Sequence, residues 1–439
     1  MKKTLCLILA TILLVVLAVG CNQAGPAPAP APAPAPADPA PADPGNNEPA
    51  PPPAEDPADG EAVTLSFMLN SPELTEYYNN MAAAYNEFTG GRVTIDMFIE
   101  QNDYQTLLLS RLNAGQTPDM FMSSAYAENM LFRDFTVDLT NEPFMGHIDP
   151  NVLNSVTVDG EITGYPFVLQ SHAFIYNLDL FEQAGITQKP ETLDELRTVC
   201  ETLDEAGIQP FASGFAEWWV LPQTVYPAMS DVYGSDFEGF FASIAAGTTV
   251  FGDLAELDFA LDLLDLINEY SGNRPMESTF DDQVGSMANG TVAMIHQGNW
   301  AEDSIRSANP DIRIGYVLHP RLNYTAVLAV ESNLTFRVGR TENTQETLMW
   351  LDWLTTSDFG KSWIPEQIKQ MSPQIGAAMP DSLLAEETAV YLDKGQTAPW
   401  WIFTGPEGIE EPFGRAFQSY VAGTSTRDQL RSELNSLFS

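Results

Sequence analysis

The chain is predicted to be an α/β protein built as two lobes, and two observations lead there. Along its first globular stretch, alternating apolar runs and runs at helical spacing follow one another in the order β-α-β-α-β. That is the order of a parallel sheet covered by helices. Its 439 residues, 44% of them hydrophobic, exceed what one hydrophobic core usually organises.

Val63-Thr64-Leu65-Ser66-Phe67-Met68-Leu69 alternates as a strand does, and Asn70-Ser71-Pro72 ends it. Tyr78, Met81, Tyr85 and Phe88 then recur at helical spacing, and Gly90-Gly91 stops that helix. Val93, Ile95, Met97 and Ile99 form a second alternating strand, and Tyr104, Leu107, Leu108 and Leu112 a short helix. Pro118-Asp119 leads into a third strand, Met120-Phe121-Met122. In such sheets a ligand binds beyond the carboxyl ends of the strands. Those ends are Asn70-Ser71-Pro72-Glu73 and Ser123-Ser124-Ala125-Tyr126. Further on, Thr192-x-x-Glu195 is a capping box that opens a helix, and Gly207 closes it. Leu257, Leu261, Leu264 and Ile267 mark another helix, and Leu348, Leu351 and Leu354 a third. Thr426-x-x-Gln429 caps a last one, with Leu430, Leu434 and Leu437 as its stripe.

Composition removes several classes of function. With 19 Lys and Arg against 60 Asp and Glu, the formal net charge is -41. Such a chain repels phosphate, so nucleic acid is excluded as a partner. The apolar content excludes a wholly disordered chain, and the runs are too short for a multi-span membrane protein.

At the start, Lys2-Lys3 precede an apolar run, Leu5 to Val19, that suits a secretory signal and is shorter than a bilayer span. The run ends Ala18-Val19-Gly20-Cys21, which resembles a bacterial lipobox with Cys21 as the lipidated first mature residue. Residues 22–60 hold 14 of the 32 prolines, in runs such as Pro26-Ala27-Pro28-Ala29-Pro30. Such a segment extends as polyproline II and reaches on the order of 100 Å. The expected arrangement is residues 1–20 as signal and 21–62 as lipidated cysteine and tether, with the body held on the extracytoplasmic face of the cell membrane. With Cys6 removed and Cys21 acylated, Cys200 is alone and no internal disulfide forms. Its helical spacing with Leu196, Val199 and Leu203 marks a buried structural thiol.

Four blocks then occur in order. They are Leu107–Leu112 with Ala114-Gly115-Gln116-Thr117-Pro118-Asp119; Gly164-Tyr165-Pro166 with Ile175-Tyr176-Asn177-Leu178-Asp179-Leu180-Phe181, Ala184-Gly185-Ile186 and Pro190-Glu191-Thr192; Met287-Ala288-Asn289-Gly290-Thr291-Val292-Ala293-Met294 with Gly298-Asn299-Trp300; and Val421-Ala422-Gly423-Thr424-Ser425-Thr426. Behind a lipobox and a tether, this series resembles the family 1 extracellular solute-binding proteins. These are carbohydrate-binding lipoproteins of ABC importers with the maltose-binding-protein fold. The resemblance covers residues 63–439. It implies a type II periplasmic-binding-protein fold, two sheets flanked by helices and joined by a hinge. Crossings are expected near Gln170–Phe174, near Asp311–Leu318 and shortly after Ser357, giving residues 63–172 and 316–357 to lobe 1 and 173–315 and 358–439 to lobe 2.

A sugar presents polar edges and apolar faces, so its site needs flat aromatic platforms and fixed hydrogen-bonding side chains. Of the eight Trp, Trp218, Trp219, Trp300, Trp400 and Trp401 stand in loop-like contexts, whereas Trp350 and Trp353 lie in an apolar helix. The resemblance implies that Trp300, in the Gly-x-Trp position, stacks on the sugar, and that Trp218 and Trp219 match an aromatic pair after a second-lobe strand. The polar candidates are Glu73, Ser123, Ser124, Tyr126, Gln170, Glu331 and Asn333. The family pattern usually has a charged residue after the third strand, where this chain has Ser-Ser-Ala-Tyr. Few Arg stand near these loops, which suits a neutral mono- or oligosaccharide over a sulfated or phosphorylated one.

The expected partners are that sugar and the permease of an ABC importer, with a monomeric body, no cofactor and no metal. The four His (His147, His172, His296, His319) lack ligand spacing. Two alternatives stay open. The same fold takes polyamines, peptides or ferric ion, and a secreted glycosidase would need only two suitably separated carboxylates. Gly-x-Ser-x-Gly, His-Glu-x-x-His and P-loop motifs are absent.

Overall fold

Two sheets, each facing its own apolar core, organise the chain in the computed structural model, which describes residues 60–233, 237–332, 334–398 and 408–438. The first half supplies strands β1 (Val63–Leu69), β2 (Val93–Ile99), β3 (Met120–Ser124), a small ribbon of β4 (Thr157–Val158) and β5 (Glu161–Ile162), then β6 (Tyr165–Pro166) and β7 (Gln170–Asn177). The second supplies β8 (Gln209–Ala212), β9 (Val292–Gly298), β10 (Ile314–Val317), β11 (Leu328–Glu331), β12 (Leu334–Val338) and β13 (Thr397–Ala398). The first sheet runs β2-β1-β3-β12-β6, with β1 parallel to both β2 and β3 as the β-α-β-α-β order requires. The second runs β13-β11-β7-β9-β8, with β10 also on β7.

The local signals act as the sequence suggests. Thr192 and Glu195 form a reciprocal capping box, as do Thr426 and Gln429. Gly90 and Gly91 end the helix Thr75–Phe88 with φ of 62° and 85°, values that glycine adopts without steric cost. Two stripe residues depart from expectation. Phe88, at the last helical turn, is 48% exposed; one side of its ring lies against Tyr85 and Trp353, and the other is left uncovered where the glycines end the helix. Leu107 is also exposed, because Tyr104 fills the interior and its hydroxyl lies 2.8 Å from the carbonyl oxygens of both Met68 and Met122. Cys200 is buried against the second core, and burial pushes its thiol up to about 12.

The strands place the lobe boundaries. The chain leaves the first sheet after β6 and enters the second with Gln170. It returns later than the expected crossing near Asp311–Leu318. β10 and β11 divide one edge of β7 between them, Tyr316 opposite Ile175 and Ala329 opposite His172, so both belong to the second sheet. The return lies between Glu331 and Leu334. The last passage also lies beyond the one expected after Ser357. Trp363, Ile364 and Ile368 still pack in the first core, and Leu384 is the next residue in the second. Trp350 and Trp353 are buried in the first core, as their apolar helix implied.

Asp119, which ends the Gly-Gln-Thr-Pro-Asp motif, is a structural residue. Its Oδ2 accepts from the Ser66 N–H at 2.8 Å and the Ser66 hydroxyl at 2.9 Å, tying the start of β3 to β1. Asn299 acts similarly at the first crossing. Its Oδ1 accepts from the Ser171 N–H at 3.0 Å, and its Nδ2 donates to the Leu169 carbonyl at 3.3 Å.

Arg337 of β12 is fully buried. Its Nε donates to the Ser123 hydroxyl, one terminal nitrogen to the carbonyl and hydroxyl of Thr163 at 3.1 and 3.0 Å, and the other to the Ser124 carbonyl at 2.9 Å and Asn129 Oδ1 at 2.7 Å. A guanidinium has five N–H groups, and each has an acceptor here. Arg337→Leu should therefore cost about 3–5 kcal/mol in denaturant unfolding, since it orphans buried acceptors and an adjacent carboxylate. Arg337→Lys should also destabilise, because three donors on a flexible stem do not reproduce the fork. A loss under about 1 kcal/mol for both would remove this network as a determinant of the lobe.

Candidate functional site

The carboxyl ends of β1 and β3 face residues of the second sheet across a chamber of about 180 Å³. Asn70, Ser71 and Glu73 reach it from the turn after β1, and Ser123 and Ser124 from the end of β3. Opposite them stand Gln170 at the start of β7, the Trp218-Trp219 pair, Phe280 and Trp300. A vestibule of about 540 Å³ adjoins it and shares Glu73, Gln101, Asn102 and Phe280. Together they have the scale of a small-molecule site.

Glu73, Ser123, Ser124, Gln170, Trp218, Trp219 and Trp300, all proposed from sequence, line this one chamber. Tyr126 and Glu331 do not line it; the Tyr126 hydroxyl hydrogen-bonds Glu331 instead. Asn333, Trp400, Trp401, Cys21, the signal and the tether up to residue 59 lie outside the described residues.

The indoles differ. Trp300 is only 8% exposed and packs in the second core, its N–H donating to Gln297 Oε1 at 2.8 Å, so it offers the chamber little of its ring. Trp218 and Trp219 are half-buried, and their N–H groups have no acceptor among the described residues. Trp219 lies 6.0 Å from the Phe280 ring.

Sequence reasoning missed much of the polar wall. The slot after β3 lacks a charged residue in sequence, yet Glu128, one helical turn on, fills it, and its Oε2 accepts from the Ser124 N–H at 2.5 Å. Glu410 arrives from the far end of the chain, and its Oε2 accepts from the Ser124 hydroxyl at 3.2 Å. Burial raises the pKa of both carboxyls, and each also feels the other class of neighbour: Arg337 lowers Glu128, while Glu128 raises Glu410 further. Among 60 acidic residues nothing local marks these two. Among the described residues no His or Cys lines the chamber; its lining offers aromatic surfaces and hydrogen-bond acceptors.

One sequence inference is corrected. His172, His296 and His319 lack ligand spacing along the chain, but the fold gathers them. His172 and His296 sit on paired strands and His319 follows β10. His319 Nε2 lies 3.4 Å from His296 Nε2 and 3.2 Å from His172 Nδ1, and the three potential ligand atoms lie within 4.8 Å of one another. All three rings are buried and held neutral by desolvation; His296 and His319 pack on Phe174, and His172 on the other two rings. The trio belongs to the second core, outside the chamber lining.

The profile of the bacterial extracellular solute-binding protein family matches residues 80–365, and the chain belongs to that family, whose members bind solutes rather than transform them. The melibiose/raffinose/stachyose-binding protein MelE of Bacillus subtilis is 22% identical over 277 residues, 60% of this chain and 62% of that protein. An uncharacterised ABC transporter extracellular-binding protein of Pyrococcus horikoshii is 25% identical over 263 residues, 57% of this chain and 56% of that protein. The chain thus spans less than two thirds of the length of these curated relatives. Among solved structures, the solute-binding protein RafE in complex with raffinose superposes with a TM-score of 0.74 at 18% identity, covering 86% of this chain and 99% of that one. A Bacillus licheniformis sugar transporter in complex with stachyose gives 0.71 at 19% identity, covering 85% and 98%. The shared fold is the two-lobe one. No helix among the described residues is long and apolar enough to cross a membrane.

The acidic wall has a consequence for stability. Burial first, then the charge of Asp281, pushes the Glu73 carboxyl from 4.5 up to about 7. A carboxyl whose pKa rises on folding binds more protons in the native state, so stability falls as pH climbs between those values and is level above them. The melting temperature of the ligand-free protein should therefore drop from pH 5 to pH 7.5, and Glu73→Gln should shrink the drop. An identical pH profile for the variant would exclude this carboxyl as a source.

Proposed function

We propose that this solute-binding protein takes up a carbohydrate between its lobes and delivers it to the permease of an ABC importer. The single observation that supports this best is the meeting of the Trp218-Trp219 pair, from the turn after β8, with Glu73, Ser123 and Ser124, from the ends of β1 and β3, around one chamber. Indole faces suit the C–H faces of a sugar, and the side chains opposite suit its hydroxyls. The sugars named for MelE, RafE and the Bacillus licheniformis protein point the same way. A sugar without sulfate or phosphate suits this lining, since no Lys or Arg among the described residues lines the chamber.

Closure holds the ligand because both lobes touch it only when shut, so the ligand favours that state by its difference in affinity. Cross-lobe bonds outside the chamber add to this. Asp303 of the second lobe accepts from the Tyr77 hydroxyl and, at 2.7 Å, from Lys369 Nζ of the first. The body is monomeric, and acylated Cys21 with the proline-rich tether keeps it at the membrane.

A thermal-shift screen over carbohydrates should find a ligand by mass action. Trp219→Ala should then weaken it at least about 30-fold, the roughly 2 kcal/mol of a central aromatic anchor. X-ray scattering should record a smaller radius of gyration on saturation. Unaltered affinity in the variant would exclude Trp219 as a platform, and an unaltered radius would exclude hinge closure.

A further inference from the structure

The charge of the cleft goes beyond what a neutral sugar needs. Glu73, Glu128, Glu410 and Glu411 line the chamber, and Glu100, Glu217 and Asp281 the vestibule. No Lys, Arg or His among the described residues lines either. Two of the seven have countercharges behind them: Arg415 pairs with Glu411 at 3.0 Å, and Arg337 faces Glu128. For Glu73 and Glu410 the charged neighbours that matter are themselves carboxylates, Asp281 and Glu128.

Glu410 shows what is missing. It is only 6% exposed, and Oε2 is used by Ser124. Oε1 is buried with no partner among the described residues, in a side chain that lines the chamber. Burying a carboxylate beside another carboxylate is costly unless a cation accompanies it. Around the same chamber stand Trp218, Trp219 and Phe280, whose ring faces attract cations as well as sugar C–H groups. A neutral hydroxyl would satisfy one oxygen but leave Glu410 dependent on the proton that burial and Glu128 favour. A protonated amine would satisfy the orphaned oxygen, neutralise the wall and lie against an indole.

We propose that the carbohydrate taken by this cleft carries a protonated amine, making it an amino sugar or an oligosaccharide containing one, seated with its ammonium group at Glu410. This rests on the carbohydrate reading above and refines its charge.

N-acetylation keeps the sugar skeleton and removes the charge, so it isolates the claim. The purified protein would be titrated calorimetrically at pH 7 with glucosamine, galactosamine and β-1,4-linked glucosamine oligomers, each beside its N-acetylated counterpart, and with raffinose and spermidine. The expected result is binding of an amine-bearing sugar at least about 10-fold tighter than its acetylated twin, weakening as salt is raised from 20 mM to about 500 mM. Glu410→Gln, nearly isosteric, should narrow that ratio while the melting curve stays cooperative. Equal or tighter binding of the acetylated or neutral sugars, or no binding of any amine-bearing sugar, overturns the charge assignment. Spermidine binding with no sugar bound overturns the carbohydrate reading beneath it as well.

Discussion

A single buried cation sets the geometry on which the site depends. Arg337 sits behind the end of β3 with every N–H used, and its acceptors include the side chain of Ser123, the carbonyl of Ser124 and the side chain of Asn129. Those bonds fix the strand end from which Ser123 and Ser124 reach the chamber, and the helix that carries Glu128. Burial pushes Arg337 down to about 10, with Glu128 pulling it back up, so it stays charged at neutral pH. The acid wall is thus organised from behind on one side, while Glu410 on the other side has no such support.

The local parts of the fold were legible because they are set by neighbours in sequence. Alternation along Val63–Leu69, the boxes at Thr192 and Thr426, and the glycine stop at residues 90–91 need no distant partner. The lobe boundaries were not legible. β10 and β11 are short, and what assigns them to the second sheet is pairing with β7, well over a hundred residues away. The same limit governs the site. Indoles stand out because there are eight of them, so Trp218 and Trp219 were found; Glu128 and Glu410 are lost among 60 acids until topology sets them at Ser124. Trp300 lines the chamber, but its pattern does not reveal that most of its ring belongs to the core. The histidine trio is the extreme case, a cluster created wholly by strand neighbours.

The chamber divides its work between two kinds of surface. The second lobe brings the large rings, whose flat faces suit the proposed sugar. The first brings Glu73 and Glu128 with the serines of β3, Glu128 being held by the Ser124 N–H. Glu410 breaks the division, coming from the second lobe to touch Ser124 in the first. Its carboxylate therefore belongs to the wall only when the lobes are together.

Asn299 stands between Gln297, which holds the Trp300 indole, and Trp300 itself, and it clasps the backbone on both sides of Gln170. The crossing between the sheets and the Trp300 indole are therefore soldered into one piece. Any bending of that crossing would carry the indole with it, so the aperture of the proposed cleft and the tilt of that ring form a single mechanical coordinate.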